Sequence, residues 1–183
     1  MVFCSGGLSG PAHAQPGGKP ARLPVSTNGK RVKTIDVHSH CLFHDAAILM
    51  GEAGAKALTP PINGSAEAYI VLADRIEAMD SQAIDLKALS INPFWYKTPR
   101  DYKTPRDVGE KIVAIQNEKL AELVASNRDR FAAFASFASL TMQDPALAAQ
   151  RLETAMKKQG LKGAAIGDQV AGDEFSNPKF DPV

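Results

Sequence analysis

Ile35-Asp36-Val37-His38-Ser39-His40 is a short apolar run that closes on two histidines one residue apart. In an extended strand successive side chains point to opposite faces, so His38 and His40 project from the same face, two residues' rise apart. Neutral imidazole is the commonest metal-ligating side chain, and a pair at this spacing can clamp one divalent ion. Catalytic zinc usually takes three protein ligands and leaves one position for water, so the motif supplies two of them. Spacing alone is a weak signal, because histidines in strands are often ordinary, partly buried polar residues. Position strengthens it: the pair stands where an apolar strand gives way to a long irregular stretch, and α/β proteins keep their sites at strand ends. Cys41 is a soft ligand by chemistry, but its opposite parity favours packing as a small apolar side chain.

Outward from this motif the pattern alternates strand and helix. Residues 32–37 read as strand one and 41–64, with Pro60-Pro61 and Asn63-Gly64, as a long loop carrying a short helix near 46–50. Ser65 can cap a helix over 65–81, on which Leu72, Ile76 and Met79 share a face. Residues 84–91 are strand two. A loop with Phe94 and Trp95 follows, then a helix opened by Asp107 and Glu110 as a capping-box-like pair and running to Ser126. Strand three spans 131–137. Asp144-Pro145 starts the next helix with a cap and a proline at its first position, Gly160 ends it, and 163–166 form strand four. Strands alternating with helices imply βαβ units and a parallel sheet. Four such units are half of an eight-stranded barrel, which takes roughly 250 residues.

The chain's 183 residues, 44% hydrophobic and 22% charged, suit one globular domain. With 21 basic against 20 acidic side chains the net charge is +1, which leaves no electrostatic footprint for nucleic acid or an anionic membrane. No run approaches the eighteen or so apolar residues of a membrane span. Two cysteines, Cys4 and Cys41, make no disulfide framework. Near the start, Val2-Phe3-Cys4 and Leu8 form a short apolar patch, and Ala12-His13-Ala14 before Gln15 has the form of a signal-peptidase site. No basic segment precedes it and glycines interrupt it, so periplasmic export and a flexible terminus on a cytoplasmic protein both stay open. Residues 16–28, rich in Pro, Gly and Ser/Thr, read as a linker, which divides the chain into a leader-and-linker segment, 1–32, and a barrel segment, 33–183. The tandem Tyr96-Lys97-Thr98-Pro99-Arg100-Asp101 and Tyr102-Lys103-Thr104-Pro105-Arg106-Asp107 is too short for a repeat architecture and reads as a loop duplication. Its Arg100 and Arg106 could pair a carboxylate but in a polar loop read as solvated.

The His-x-His run, then Arg75-Ile76-Glu77-Ala78-Met79-Asp80 leading into Ile84-Asp85-Leu86-Lys87-Ala88-Leu89-Ser90, resembles the amidohydrolase-2 family of aminocarboxymuconate-semialdehyde decarboxylase-like enzymes. Gln116-Asn117-Glu118-Lys119-Leu120-Ala121, Asp129-Arg130-Phe131-Ala132, Gln143-Asp144-Pro145 and Gly160-Leu161-Lys162-Gly163-Ala164-Ala165-Ile166-Gly167 continue the match over nearly everything after residue 32. Ala83 stands where relatives carry glycine, a departure expected to cost little. The resemblance implies the N-terminal half of a (β/α)8 TIM barrel in which His38 and His40 bind a divalent ion, zinc by preference and manganese as the alternative. It also implies a third histidine, an aspartate and an acid/base histidine at positions beyond residue 183, so no catalytic residue is identifiable and the chain is expected to be inactive alone.

In such enzymes the ion acidifies water and polarises a substrate oxygen. The decarboxylating branch protonates the carbon bearing the carboxylate and releases carbon dioxide; the hydrolytic branch attacks an amide, ester or lactone carbonyl. The expected substrate is a small unsaturated or aromatic carboxylate, with Phe94 and Trp95 either lining its pocket or packing under the loop. A non-catalytic half-barrel module is the contrasting reading, and open sheet edges and uncovered apolar faces are expected to make the isolated chain form a homodimer, aggregate or stay partly molten.

Overall fold

The alternation of apolar runs and helical spacing builds one parallel sheet. The computed structural model describes residues 25–41, 43–49, 51, 72–91, 105–131, 136–138 and 141–183. The leader-like segment, the Ser65 cap, Phe94, Trp95, Arg100 and most of the tandem duplication lie outside the described residues. The chain opens on a two-stranded antiparallel ribbon, β1 (Ser26–Thr27) and β2 (Lys30–Arg31), turning at Asn28-Gly29 with both residues at positive φ. An Asn-Gly pair is the favoured sequence for that turn. Ser26 and Thr27, expected within a linker, are thus paired, and Asn28 lies in the turn.

Four strands follow in the order β3 (Ile35–Cys41), β4 (Leu86–Ile91), β5 (Ser136–Ala138) and β6 (Gly163–Ala164), each parallel to the next. The intervening helices are α1 (His44–Leu49), α2 (Leu72–Ser81), α3 (Arg106–Ser126) and α4 (Pro145–Lys157). This is the βαβ alternation expected, with the strands displaced. Strand one begins at Ile35 rather than 32 and runs through both histidines to Cys41, since Val32 N–H is spent on Val25 O at 2.7 Å. Phe131 is a buried anchor in the turn before β5, and strand four stops at Ala164.

The capping-box expectation for α3 gives way to a different start. Pro105 occupies the cap without a side-chain hydrogen bond, Asp107 lies inside the first turn, and Glu110 pairs with Arg106 at 3.0 Å and Arg151 at 3.4 Å. Glu110 is therefore engaged by cations and not by the backbone. The Asp144 cap is as expected: its Oδ1 accepts from Leu147 N–H at 3.1 Å ahead of Pro145. Gly160, at φ 73°, lets the chain leave α4.

Met79 of α2, Leu89 and Ile91 of β4, Leu120 of α3, and Phe131, Met142 and Leu161 from the connections form the core between sheet and helices. On α2 Met79 is buried and Ile76 packs against the core as the stripe suggested, while Leu72 is exposed and Arg75 is buried as well. A short hairpin, β7 (Gln169–Val170) and β8 (Asp173–Glu174), and a 3-10 turn (Pro178–Phe180) complete the chain, with Val170 and Phe180 joining the core. No helix among the described residues is long and apolar enough to cross a membrane.

Two features set the first strand against the second. Asp85, just before β4, accepts from Thr34 N–H at 2.8 Å and from Arg31 at 2.9 Å, tying the ribbon and the entry of β3 to β4. Between the pairs Asp36↔Lys87 and Ser39↔Leu89 the register shifts by one, a bulge that falls at Val37-His38. Ala83, entering β4, has φ 58° and is buried. Left-handed backbone costs an alanine about 1–2 kcal/mol, and its buried methyl returns about 0.8 kcal/mol. The net penalty is small, in keeping with the expectation for this position.

Candidate metal centre

His38 and His40 lie in the carboxyl-terminal half of β3, and their Nε2 atoms approach to 3.0 Å with ring centroids 4.8 Å apart. The rings meet edge to face, at 80°. His38 is exposed and His40 half-buried, so one nitrogen pair faces solvent from a rigid base. The bulge helps to aim it: Asp36 Oδ1 accepts from His38 N–H at 3.0 Å, and Asp36 Oδ2 reaches Lys87 Nζ at 3.4 Å.

His40 is fixed from its other side. Its Nδ1 lies 2.8 Å from Ser90 Oγ, the residue opposite it in the β3–β4 register. Buried Arg75 of α2 donates to Ser39 Oγ at 3.0 Å and to the His40 carbonyl at 2.7 Å, holding the backbone between the histidines. Burial, then the His38 ring and the Arg75 charge, push the His40 imidazole below its ordinary value, against an opposing pull from Asp36. A neutral imidazole at neutral pH is the form that donates a lone pair to a metal.

Cys41 is almost fully buried in the core, and burial pushes its thiol up to about 12. It is the packed small side chain its parity suggested. Arg106 is exposed and paired with Glu110 and Asp144, away from the histidines in the ion-pair network of α3 and α4. Among the described residues no group of three His, Cys, Asp or Glu side chains could hold a metal ion.

Ser90 and Arg75 were not legible as site residues, although each left a trace. Arg75 sits four residues before Met79 on an otherwise apolar stripe, and Ser90 is a hydroxyl at the end of an apolar strand.

The described residues thus make a parallel α/β chain with a histidine pair near the carboxyl end of the first strand of its four-stranded sheet, the end at which barrels of this kind keep their sites. Comparison with known proteins goes further. No family model matches the chain. Over 92 residues it is 35% identical to a gamma-resorcylate decarboxylase of a Polaromonas species, a match covering 50% of this chain and 26% of that protein. Its fold matches the 5-carboxyvanillate decarboxylase of Novosphingobium aromaticivorans, solved with manganese and 4-hydroxy-3-methoxy-5-nitrobenzoic acid. That match has a TM-score of 0.71 at 18% identity and covers 91% of this chain and 49% of that one. A dihydroxybenzoic acid decarboxylase of Polaromonas, solved with manganese and 2-nitroresorcinol, gives 0.60 at 25% identity, covering 82% and 44%. Other structural neighbours include a 2,6-dihydroxybenzoate decarboxylase and a putative amidohydrolase of Staphylococcus aureus, similarities in line with the resemblance seen in the motifs. The chain spans under half the length of these solved relatives.

Proposed function

We propose that the chain forms the N-terminal part of a (β/α)8 barrel and supplies part of the centre of a metal-dependent decarboxylase. Its substrate is a small aromatic hydroxy acid, and His38 and His40 are two ligands of one divalent ion. The observation that carries this reading is the Nε2 pair, 3.0 Å apart at the end of the first sheet strand, in a chain similar to decarboxylases of phenolic acids. The two Nε2 atoms are close enough together for both to reach a single ion, whose bonds to imidazole nitrogen would be ~2.1 Å. Manganese is the ion in solved relatives, and zinc, the first expectation from the sequence, suits the same imidazoles.

When bound, a divalent ion neutralises and polarises substrate oxygens at such a site. The chain's own residues do the rest of what is visible. Burial, the His38 ring and the Arg75 charge favour the neutral form of His40, His38 presents its nitrogen from the exposed side, and Arg75 holds the backbone between the two. Phe94 and Trp95, which follow β4 in sequence, are assigned to the flat face of the acid. Among the described residues no third ligand joins this pair, so the 183 residues alone are expected to be inactive.

Self-association is part of the same reading. Ile35 and Val37 of β3 are exposed, and among the described residues β3 and β6 are the open edges of the sheet. The test of function is to load the full-length gene product with manganese or zinc and assay hydroxybenzoates for carbon dioxide release, with esters and lactones alongside. Carbon dioxide release supports the proposal. Hydrolysis without it keeps the site and replaces the reaction.

A further inference from the structure

We propose that Ser90 is a positioning residue for His40, holding its imidazole by Nδ1 so that Nε2 is the nitrogen offered to the cation; this rests on the metal reading above. His40 and Ser90 are directly opposed in the parallel register of β3 and β4, and Nδ1 to Oγ is 2.8 Å. Ser90 is buried on a strand whose flanking Leu89 and Ile91 are locked into the core, so the hydroxyl is a fixed point.

The contact also orders the protons of the pair. With Nδ1–H of His40 donating to Ser90 Oγ, Nε2 of His40 carries a lone pair, and the 3.0 Å contact is then an Nε2–H of His38 donating to it, a proton that His38 gives up from that nitrogen when both Nε2 atoms ligate a cation. Both nitrogens that converge are Nε2, and the half-buried ring has its rotation fixed from behind, with Nδ1–H the tautomer that the proposal assigns. Metal-ligating histidines gain much of their affinity from such a partner on the second ring nitrogen. Ser90 has no other role in the chemistry proposed, since its hydroxyl lies behind the ring and not beside the converging nitrogens.

The experiment is a Zn2+ titration of the full 183-residue chain, read by competition with a chromophoric chelator, with thermal unfolding measured in excess chelator. Ser90→Ala is expected to weaken Zn2+ binding about 10- to 100-fold while the metal-free unfolding midpoint stays near wild type. Ser90→Thr keeps the hydroxyl and is expected to retain affinity. Ring 15N shifts provide a second signature: His40 carries its proton on Nδ1 in wild type and Ser90→Thr, and becomes a tautomer mixture in Ser90→Ala. Unchanged Zn2+ affinity in Ser90→Ala overturns the assignment, as does an equal loss in Ser90→Thr or a loss matched by a collapsed metal-free midpoint. Binding that survives His38→Ala plus His40→Ala overturns the metal reading itself. If that double change abolishes binding and Ser90→Ala does not alter it, the Ser90 assignment alone falls.

Discussion

Replacing Arg75 by methionine removes the tie between α2 and the strand that carries both histidines. The guanidinium is buried and donates to Ser39 Oγ at 3.0 Å and to the His40 carbonyl at 2.7 Å. Hydrogen bonds from a charged donor contribute about 1.5–3 kcal/mol each, so two of them amount to about 3–6 kcal/mol. Methionine keeps the stem's apolar burial and recovers about 1–2 kcal/mol through its own packing. The expected net loss is about 2–4 kcal/mol, or a shift of roughly 30- to 700-fold in the folding equilibrium, a large part of an ordinary domain's stability. Urea unfolding followed by far-ultraviolet circular dichroism measures it, as a lower midpoint with an unchanged slope. Arg75→Lys is expected to recover part of the loss, because a single ammonium cannot reproduce the planar two-pronged geometry. A loss in Arg75→Met below about 0.5 kcal/mol, the size of an ordinary surface change, would refute the role given to this side chain.

Cys41, with its thiol pushed up to about 12 by burial, is expected to stay protonated and unlabelled by iodoacetamide at about pH 8 until the chain unfolds. Labelling of the Cys41 peptide at the rate of free cysteine in native buffer would contradict that. Asp144→Ala is expected to cost about 1 kcal/mol through the lost cap on α4, while Asp144→Asn costs less; equal losses in calorimetry would mean the exposed Arg106 pair matters more than the cap. Burial lowers the Lys87 ammonium from its ordinary 10.5 despite Asp36. Between the lowered value and the ordinary one the unfolded chain binds more protons, so wild type should gain stability relative to Lys87→Met as pH rises through that window. A difference between the two that is flat across alkaline pH would remove this reading of Lys87.

Periodicity carried the parallel alternation because each strand is a short apolar run flanked by helix-spaced segments and caps, and the Asp144-Pro145 start is local chemistry that needs no tertiary partner. The boundaries moved where tertiary contacts decide them. Val32 was spent on closing the ribbon, and Asp107 lost its cap to a proline start, with Glu110 drawn to two arginines. The Asn28-Gly29 turn was readable in principle, but its strands are two residues each, too short for an alternation to register. At the site, spacing alone put His38 and His40 on one face, since strand parity is local. The supports were hidden because they are remote in sequence: Ser90 meets His40 from 50 positions away and Arg75 from 35, through a sheet register and a helix packing that no local pattern encodes.

The direct test of the proposed metal-dependent decarboxylase is carbon dioxide release from 2,6-dihydroxybenzoate by the manganese-loaded full-length protein, compared with the same protein carrying His38→Ala and His40→Ala. Loss of two of the usual three protein ligands of a metal centre removes the ion and with it the reaction. Release that depends on the metal and falls at least about a thousandfold in the double variant is the predicted result. Undiminished release from the double variant, or release that persists after exhaustive chelation, would contradict it.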